Sequence, residues 1–371
     1  MNMIHTRVGL QQRILPEYRV EFFDRLATVC LQGLSIFAGN PRLQEAVETA
    51  PKPAIAHYHP ARNLHFFSGK FYVYWQAGIL SWLYRWQPQV LIMEINPRNL
   101  SNPTAVRWMH LRGRPVIGWG LGIPIRNPIA NRLQRNLLHH MDAVIAYSNT
   151  GAEQYIQAGM DPARVFVAAN AVTPRPSVPA IERPPFVGDQ PPQILFVGRL
   201  QERKRLDVLL YALAALPMER KPQLTIVGDG PDRSRLEKLS WEVYPHTTFV
   251  GARHGAELEP YYAAADLFIL PGTGGLAIQQ AMAHGLPVIV GKADGTQGEL
   301  VRPENGWILQ DDSVQTLTRT LQEALADLPG LRRKGLASYR IVADEVNIEA
   351  MVETFTRAVE SVLTSRTMRK R

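Results

Sequence analysis

Along the first half of the chain, short apolar runs alternate with stretches whose apolar positions recur at helical spacing. The runs are Leu34–Ala38, Val90–Met93, Pro115–Gly118 and Ala143–Ala146. Strand-length apolar segments joined through helical connections predict a parallel sheet with helices on its faces. Residues 133–141 predict a helix feeding the strand at Ala143, and Ser148-Asn-Thr-Gly-Ala-Glu153 reads as a polar cap opening the next helix. Between 174 and 192 the alternation stops, because seven prolines in nineteen residues exclude a regular helix or a central strand. The pattern then restarts. Strands are expected at Gln193–Val197, Leu224–Val227, Thr247–Val250, Leu267–Leu270 and Pro287–Val290. Helices are expected between them at Leu206–Leu216, Arg233–Leu239, Ala256–Ala264 and Leu276–His284. Five strands and four helices make a second Rossmann-like domain, whose ligands gather at the carboxyl ends of the strands. From Ser313 onward the chain is mostly amphipathic helix.

The expected organisation is therefore α/β, with two Rossmann-like domains at 1–173 and 193–345. A linker at 174–192 joins them, and a helix with a basic tail at 346–371 is expected to pack back on the first domain. A length of 371 residues suits two domains, each with its own core and a cleft between them. The composition, 46% hydrophobic and 20% charged, is that of a chain that folds throughout. Cys30 alone cannot form an internal disulfide, and its apolar surroundings predict a buried thiol and a reducing compartment. No segment reads as a signal peptide or a membrane span, so a cytoplasmic protein is expected.

A formal charge of +8 and a sequence pI near 9.6 favour an anionic partner. Lys and Arg read as spread along the chain, with local groups at Arg199–Arg205 and Arg366–Arg371. No nucleic-acid module accompanies them, so the groups suit acidic lipid headgroups or a phosphorylated metabolite, or else form a generally basic solvated surface. In the opening segment Arg13, Arg19 and Arg25 interleave with Leu15, Tyr18, Phe22 and Phe23. The aromatic run Phe66–Trp86 adds Lys70 and Arg85. Such stretches suit an anionic bilayer surface, or else the rings pack against the first sheet.

The most informative stretch is Phe196-Val-Gly-Arg-Leu-Gln-Glu-Arg-Lys-Arg-Leu-Asp207, a strand, a basic loop and a helix. Gly198 admits close backbone approach, and Arg199 and Lys204 supply fixed charge near a helix N-terminus, so the stretch reads either as a cradle for a diphosphate or as a solvated basic turn. Gly272-Thr-Gly-Gly275, ahead of the helix that starts at Leu276, reads either as a second anion-facing loop or as a flexible turn. No His, Cys, Asp or Glu set has metal-ligand spacing, so no metal site is expected.

These segments, in this order, resemble the donor-binding half of the GT-B glycosyltransferases, above all the retaining family 4. The resemblance is carried by Val197-Gly-Arg-Leu with Lys204, Leu224-Thr-Ile-Val-Gly-Asp-Gly-Pro231, Phe249-Val-Gly251, Tyr261–Pro271, Gln280–Ile289, Gly298-Glu-Leu-Val301 and Asn305-Gly306. In the first half Tyr147-Ser-Asn149, Ala168–Val172 and Gln12–Phe23 are similar to it as well. It implies two sheets facing each other across a cleft, a nucleoside-diphosphate sugar as substrate with no further cofactor, and a glycan or lipid-linked acceptor. It also implies work in surface polysaccharide or glycolipid assembly, and the basic and aromatic stretches above then suit peripheral contact with an anionic membrane at its inner face.

Residue by residue, the resemblance assigns Arg199 and Lys204 to catalysis. Gly198, Gly228, Gly272, Thr273, Gly274, Gly275, Leu276, Gln280 and Glu299 go to the donor. Arg13, Tyr18, Arg19, Trp119 and Gly120 go to the acceptor side. The sequence departs from the family at three places. Gly272 and Gln280 stand where the family carries two glutamates, and a sugar-contacting His is missing near Leu121. Gln280 can still hydrogen-bond a ribose, more weakly than a carboxylate. Trp119 suits either stacking on a sugar or lipid, or a place in the core. Loss of both carboxylates raises an alternative, a catalytically impaired homologue that binds the donor or serves as a scaffold.

Overall fold

The computed structural model describes residues 2–42, 52–123, 128–176, 183, 190–217, 221–292 and 297–369. It divides into two compact units, Met1–Val172 with Ile348–Arg371, and Thr173–Asn347.

In the first unit the strands are β1 (Val8–Ile14), β2 (Leu34–Gly39), β3 (His57–Pro60), β4 (Arg62–Phe66), β5 (Val73–Ala77), β6 (Val90–Glu94), β7 (Val116–Gly120), β8 (Ala143–Ala146) and β9 (Val165–Val167). The helices are α1 (Val20–Val29), α2 (Ile79–Trp86), α3 (Asn102–Leu111), α4 (Pro128–Leu138) and α5 (Asn149–Gln157). Seven strands form one parallel sheet in the order β3-β2-β1-β6-β7-β8-β9, while β4 and β5 pair antiparallel as a separate hairpin. Every residue of β2, β7 and β8 is buried, as helices on both faces require. Ser148 caps α5 as expected, accepting the Gly151 N–H at 3.0 Å. The helix expected over 133–141 starts earlier, at Pro128, and ends at Leu138.

Five strands of this unit escape the apolar pattern. β1 reads Val-Gly-Leu-Gln-Gln-Arg-Ile, and its glutamines look like loop residues, yet Gln11 and Gln12 are buried and bonded. The half-exposed β3, β4 and β9 are too polar or too short to stand out, and β5 merges into an aromatic run.

The second unit contains β10 (Gln193–Val197), β11 (Gln223–Val227), β12 (Thr247–Gly251), β13 (Leu267–Leu270), β14 (Val288–Val290) and β15 (Gly306–Ile308). Its helices are α6 (Leu206–Ala214), α7 (Arg233–Val243), α8 (Glu259–Ala264), α9 (Leu276–Ala283), α10 (Gln297–Leu300), α11 (Val314–Ala326) and α12 (Leu328–Asp344). The sheet is parallel, ordered β12-β11-β10-β13-β14-β15. It has six strands rather than five, since β15 is a partly buried Gly-Trp-Ile with no apolar run to mark it, unlike the equally short but fully buried β14. Both sheets reverse strand order next to their first strand, at β1/β6 and at β10/β13, and those are the crevices where α/β sheets take ligands.

Most of the proline-rich segment lies outside the described residues. Arg183 is described, and it donates to the carbonyls of Tyr262, Ala263, Ala265 and His284, with its pKa lowered to about 10 by burial.

The last helix, α13 (Ile348–Arg369), belongs to the first unit. Its Ile348, Met351, Val352, Phe355, Ala358, Val359 and Val362 form one buried stripe at helical spacing against α1 and the sheet. Phe355 meets Phe22 and Trp119 edge-on, each with ring centroids 4.9 Å apart. Cys30 lies in the same core, and burial pushes its thiol up to about 12.

Truncating the ring at the centre of this cluster, Phe355→Ala, destabilises the first unit by about 3–5 kcal/mol. The expected result in urea unfolding is an earlier transition of the first unit, with that of the second unit unmoved. Coincident curves for variant and wild type would refute this role.

Candidate functional site

In the second unit the two loops flanking the switch point are bound to each other. The chain leaves β10 through Gly198 and Arg199, then makes a short turn at Glu202–Lys204 before α6. The chain leaves β13 through Pro271 into Gly272–Gly275, then α9. Thr273 N–H donates to the Arg203 carbonyl at 3.1 Å, and the Arg203 guanidinium donates to Thr273 Oγ1 at 3.0 Å. Lys204 Nζ donates to the Thr273 carbonyl at 2.6 Å. A side chain on Gly272 would run into the backbone of Arg203 and Lys204, so the crossing requires glycine there.

Lys204 is only 8% exposed, and burial, reinforced by Arg203, lowers its pKa to about 8. Gly274 lies directly beneath its ammonium group. Arg199 is exposed at the mouth of the β10 loop, and Arg205 pairs with Asp312 behind it. No side chain caps the N-terminus of α9, which opens at Leu276 just after Gly275. An ammonium, a nearby guanidinium and a helix N-terminus fit a phosphate group.

The neighbouring turn is part of the same floor. Gly228 has φ +145°, and any side chain there would strike the Gly198 carbonyl. Asp229 shapes the turn as expected, accepting from Gly230 N–H at 2.6 Å and from Arg233 at 3.1 Å. The Leu200 N–H donates to the Asp229 carbonyl at 2.9 Å, which ties the β10 and β11 loops.

Two donor-side residues fall elsewhere in the network. Gln280 accepts from the Tyr262 hydroxyl at 3.2 Å, beside a Tyr262–His284 stack at 4.7 Å, and so faces α8. Glu299 is half-buried in α10. The α10 residue that reaches the glycine loop is Gln297, which the sequence reading passed over. Its amide points to the Gly272 carbonyl at 3.5 Å, and its own carbonyl is buried without a partner among the described residues. Arg203 was missed as well, although it lies in the same basic loop.

In the first unit the acceptor-side set gathers only in part. Arg19 is 4% exposed, with its guanidinium 4.4 Å from the Trp119 ring, 5.4 Å from Tyr147 and 5.6 Å from Tyr18. It donates to the Tyr147 hydroxyl at 3.3 Å, and its Nη1 is buried without a partner among the described residues. Burial pushes the Tyr147 hydroxyl up to about 12, against the pull of Arg19. Trp119 is fully buried, at 90° to Phe355, and packs as a core residue. Gly120 is buried beside the Tyr155 hydroxyl, which accepts from Gly122 N–H at 3.0 Å. Tyr18 is exposed, and Arg13 is half-buried with its N–H on Glu94 at 3.0 Å.

Glu94 ends β6 at the switch point and was not picked out from sequence. Around it an amide network fixes the strand ends. Gln11 donates to Gln76, and Gln76 donates to the Gln12 carbonyl and to Asn63, both at 3.0 Å. Asn99 donates to Gln76 at 3.2 Å. No group of three or more His, Cys, Asp or Glu is placed to hold a metal ion among the described residues.

Residues 191–327 match the family model described as Glycosyl transferases group 1. A GDP-mannose-dependent alpha-mannosyltransferase of Mycobacterium tuberculosis is 32% identical over 253 residues, 66% of this chain and 63% of that protein. A GDP-mannose-dependent monoacylated alpha-(1-6)-phosphatidylinositol monomannoside mannosyltransferase of Corynebacterium glutamicum is 32% identical over 184 residues, 47% of this chain and 48% of that one. The chain thus spans less than two thirds of the length of these curated relatives. Among solved structures, the apo form of the lipopolysaccharide outer core galactosyltransferase WaaB superposes with a TM-score of 0.70 at 16% identity, covering 96% of this chain and 99% of that one. Anabaena Alr3699/HepE in complex with UDP gives the same score, identity and coverage. At such identities the superpositions speak for the fold, which is GT-B. The group 1 match in the second unit, these relatives and the superpositions support a GT-B glycosyltransferase of the GT4-like kind.

Proposed function

We propose that the protein transfers a sugar from a nucleoside-diphosphate sugar to a glycan or lipid-linked acceptor, with retention at the anomeric carbon, in surface polysaccharide or glycolipid assembly. The observation that carries this reading is the buried Lys204 ammonium on the Thr273–Gly274 loop, at the switch point of a sheet that matches the family. When the bond from the anomeric carbon to the diphosphate breaks, negative charge grows on the leaving oxygen. Lys204, Arg199 and the N-terminus of α9 are preorganised to receive that charge. The acceptor oxygen bonds the anomeric carbon on the face that the phosphate leaves, and its proton passes to a phosphate oxygen, so no protein base is required. On the acceptor side, Arg13, Tyr18 and Arg19 line the carboxyl end of β1.

The names of the relatives support donors of this class, GDP-mannose for two mannosyltransferases and UDP in the HepE complex, and a phosphatidylinositol mannoside acceptor for one of them. No helix among the described residues is long and apolar enough to cross a membrane, and a peripheral contact with an anionic membrane at its inner face fits a lipid-linked acceptor. A second reading rests on Gly272. The Arg203 carbonyl fills the space where the family's carboxylate would project, and a donor-binding or scaffold protein without turnover would carry that change.

Titration with a panel of nucleoside diphosphates and their sugars, followed by turnover assays on glycan and lipid acceptors, separates these readings. Binding with transfer or slow donor hydrolysis supports the enzyme, and binding with no turnover supports the second reading. Lys204→Ala weakens nucleoside-diphosphate binding by about 1.5–3 kcal/mol, the scale of a charge-assisted hydrogen bond. Arg199→Ala costs about 1 kcal/mol or less, because solvent screens it. Unchanged binding in both variants would remove the cradle.

Affinity should also fall with rising pH. An ammonium whose pKa lies near 8 loses its proton as pH passes from 7 to 9, so the dissociation constant rises across that window and binding near pH 8 takes up protons. A flat profile would refute a role for the Lys204 charge, and Lys204→Arg should be flat if the variant binds.

Turnover survives a chelator, because protein cations meet the diphosphate charge. Activity that EDTA abolishes and Mg²⁺ or Mn²⁺ restores would overturn this assignment.

A further inference from the structure

The β4–β5 hairpin ends in Phe66-Phe-Ser-Gly-Lys-Phe71, outside the seven-stranded sheet. Phe66 is 44% exposed, Phe67 78% and Phe71 80%. Phe67 has φ +59°, an uncommon region for a bulky side chain, so the turn carries some backbone strain at its most exposed ring but one. Three exposed phenylalanines on one turn are not explained by packing, and soluble monomers rarely leave such a patch uncovered.

Behind the tip the hairpin is a rigid aromatic platform. Tyr72 and Tyr74 stack at 6.1 Å, and His65 stacks on Tyr72 at 5.8 Å and hydrogen-bonds its hydroxyl at 2.9 Å. The Tyr74 N–H donates to the Arg98 carbonyl, and the Leu100 N–H donates to the Tyr74 carbonyl, both at 2.9 Å. These bonds lock the hairpin to the loop after β6, which adds the exposed Leu100. Cations surround the platform. The Arg42 guanidinium lies 4.2 Å from the Tyr72 ring and that of Arg98 lies 6.0 Å from it, while Arg62 is exposed at the start of β4.

The sequence around the hairpin carries a charge bias that a count over the whole chain hides. From 49 to 141 there are eleven Lys and Arg but one carboxylate, Glu94, which receives the Arg13 N–H. That stretch is +10, and the remainder of the chain is −2.

We propose that the β4–β5 hairpin is a membrane anchor. Phe66, Phe67 and Phe71 enter the interfacial layer of a bilayer, and Arg42, Arg62 and Arg98 stay at its anionic headgroups. A narrow apolar tip suits a deformable lipid surface, and a collar of one sign suits headgroup phosphates over a protein face of mixed charge. This inference rests on the peripheral membrane contact proposed above and names the element that makes it.

The test is co-sedimentation of the full chain with phosphatidylcholine vesicles, with and without phosphatidylglycerol. The wild type pellets with the anionic vesicles at low salt and is released at high salt. The triple variant Phe66→Ser, Phe67→Ser, Phe71→Ser keeps its melting temperature and binds at least about tenfold more weakly. Arg62→Gln weakens binding about fivefold at low salt. If the wild type pellets and the triple variant pellets equally well, the hairpin inference fails while the membrane contact stands. If the wild type stays in the supernatant with anionic vesicles at low salt, the membrane contact fails and the inference with it. Light scattering covers the remaining occupant. A wild-type dimer that the triple variant dissociates would make the tip an interface between copies and overturn the proposal.

Discussion

The switch-point geometry of the second unit depends on one crossing, in which the Arg203–Lys204 backbone and side chains hold the Thr273–Gly274 loop. Burying an ammonium group costs several kcal/mol unless acceptors meet it. Lys204 has one acceptor among the described residues, the Thr273 carbonyl, and two N–H directions remain. The same crossing explains why position 272 is glycine, because the Arg203 carbonyl fills the space a side chain would need. Where the family resemblance expects a carboxylate, this chain has a backbone contact. The substitution is therefore coupled to the loop and is not an isolated loss.

The first unit shows the opposite use of a buried cation. Arg19 is enclosed by the faces of Trp119, Tyr147 and Tyr18, where the rings offer partial negative charge but only one hydroxyl acceptor. Trp119 is then wedged between this cation and Phe355. Its ring links the carboxyl end of β7 to α13, so the position of Arg19 depends on core packing as much as on the β1–α1 turn.

Much of this architecture could be read from the chain, and the exceptions have physical causes. Fully buried strands such as Leu34–Gly39 and Ala143–Ala146 announce themselves as continuous apolar runs. The first strand does not, because Gln11 and Gln12 are buried through amide bonds, and a pattern of apolar residues is blind to that kind of burial. The Gly-Arg-Leu and Gly-Thr-Gly-Gly segments were legible one at a time, as loops that follow strands. Their union was not, since the pairing of Arg203 with Thr273 spans seventy residues and depends on which strands are neighbours. Trp119 is ambiguous in the sequence because an indole serves a sugar face and a core equally well, and its packing partner Phe355 lies far along the chain. Glu94 could have been found from its isolation among cations, a signal that lies in missing carboxylates and not in any motif.

The helix Ile348–Arg369 has a consequence for how the protein is made. The first unit consists of two pieces of chain, and the whole of the second unit is inserted between them. Phe355 and its stripe complete the first core, yet they leave the ribosome after every residue of the second unit. During synthesis the second unit can close on contacts wholly its own, whereas the first must wait with Phe22 and Trp119 uncovered until the last helix arrives. The nascent first unit is thus the stretch most exposed to misassociation, and it completes its fold last although its first strand is made first.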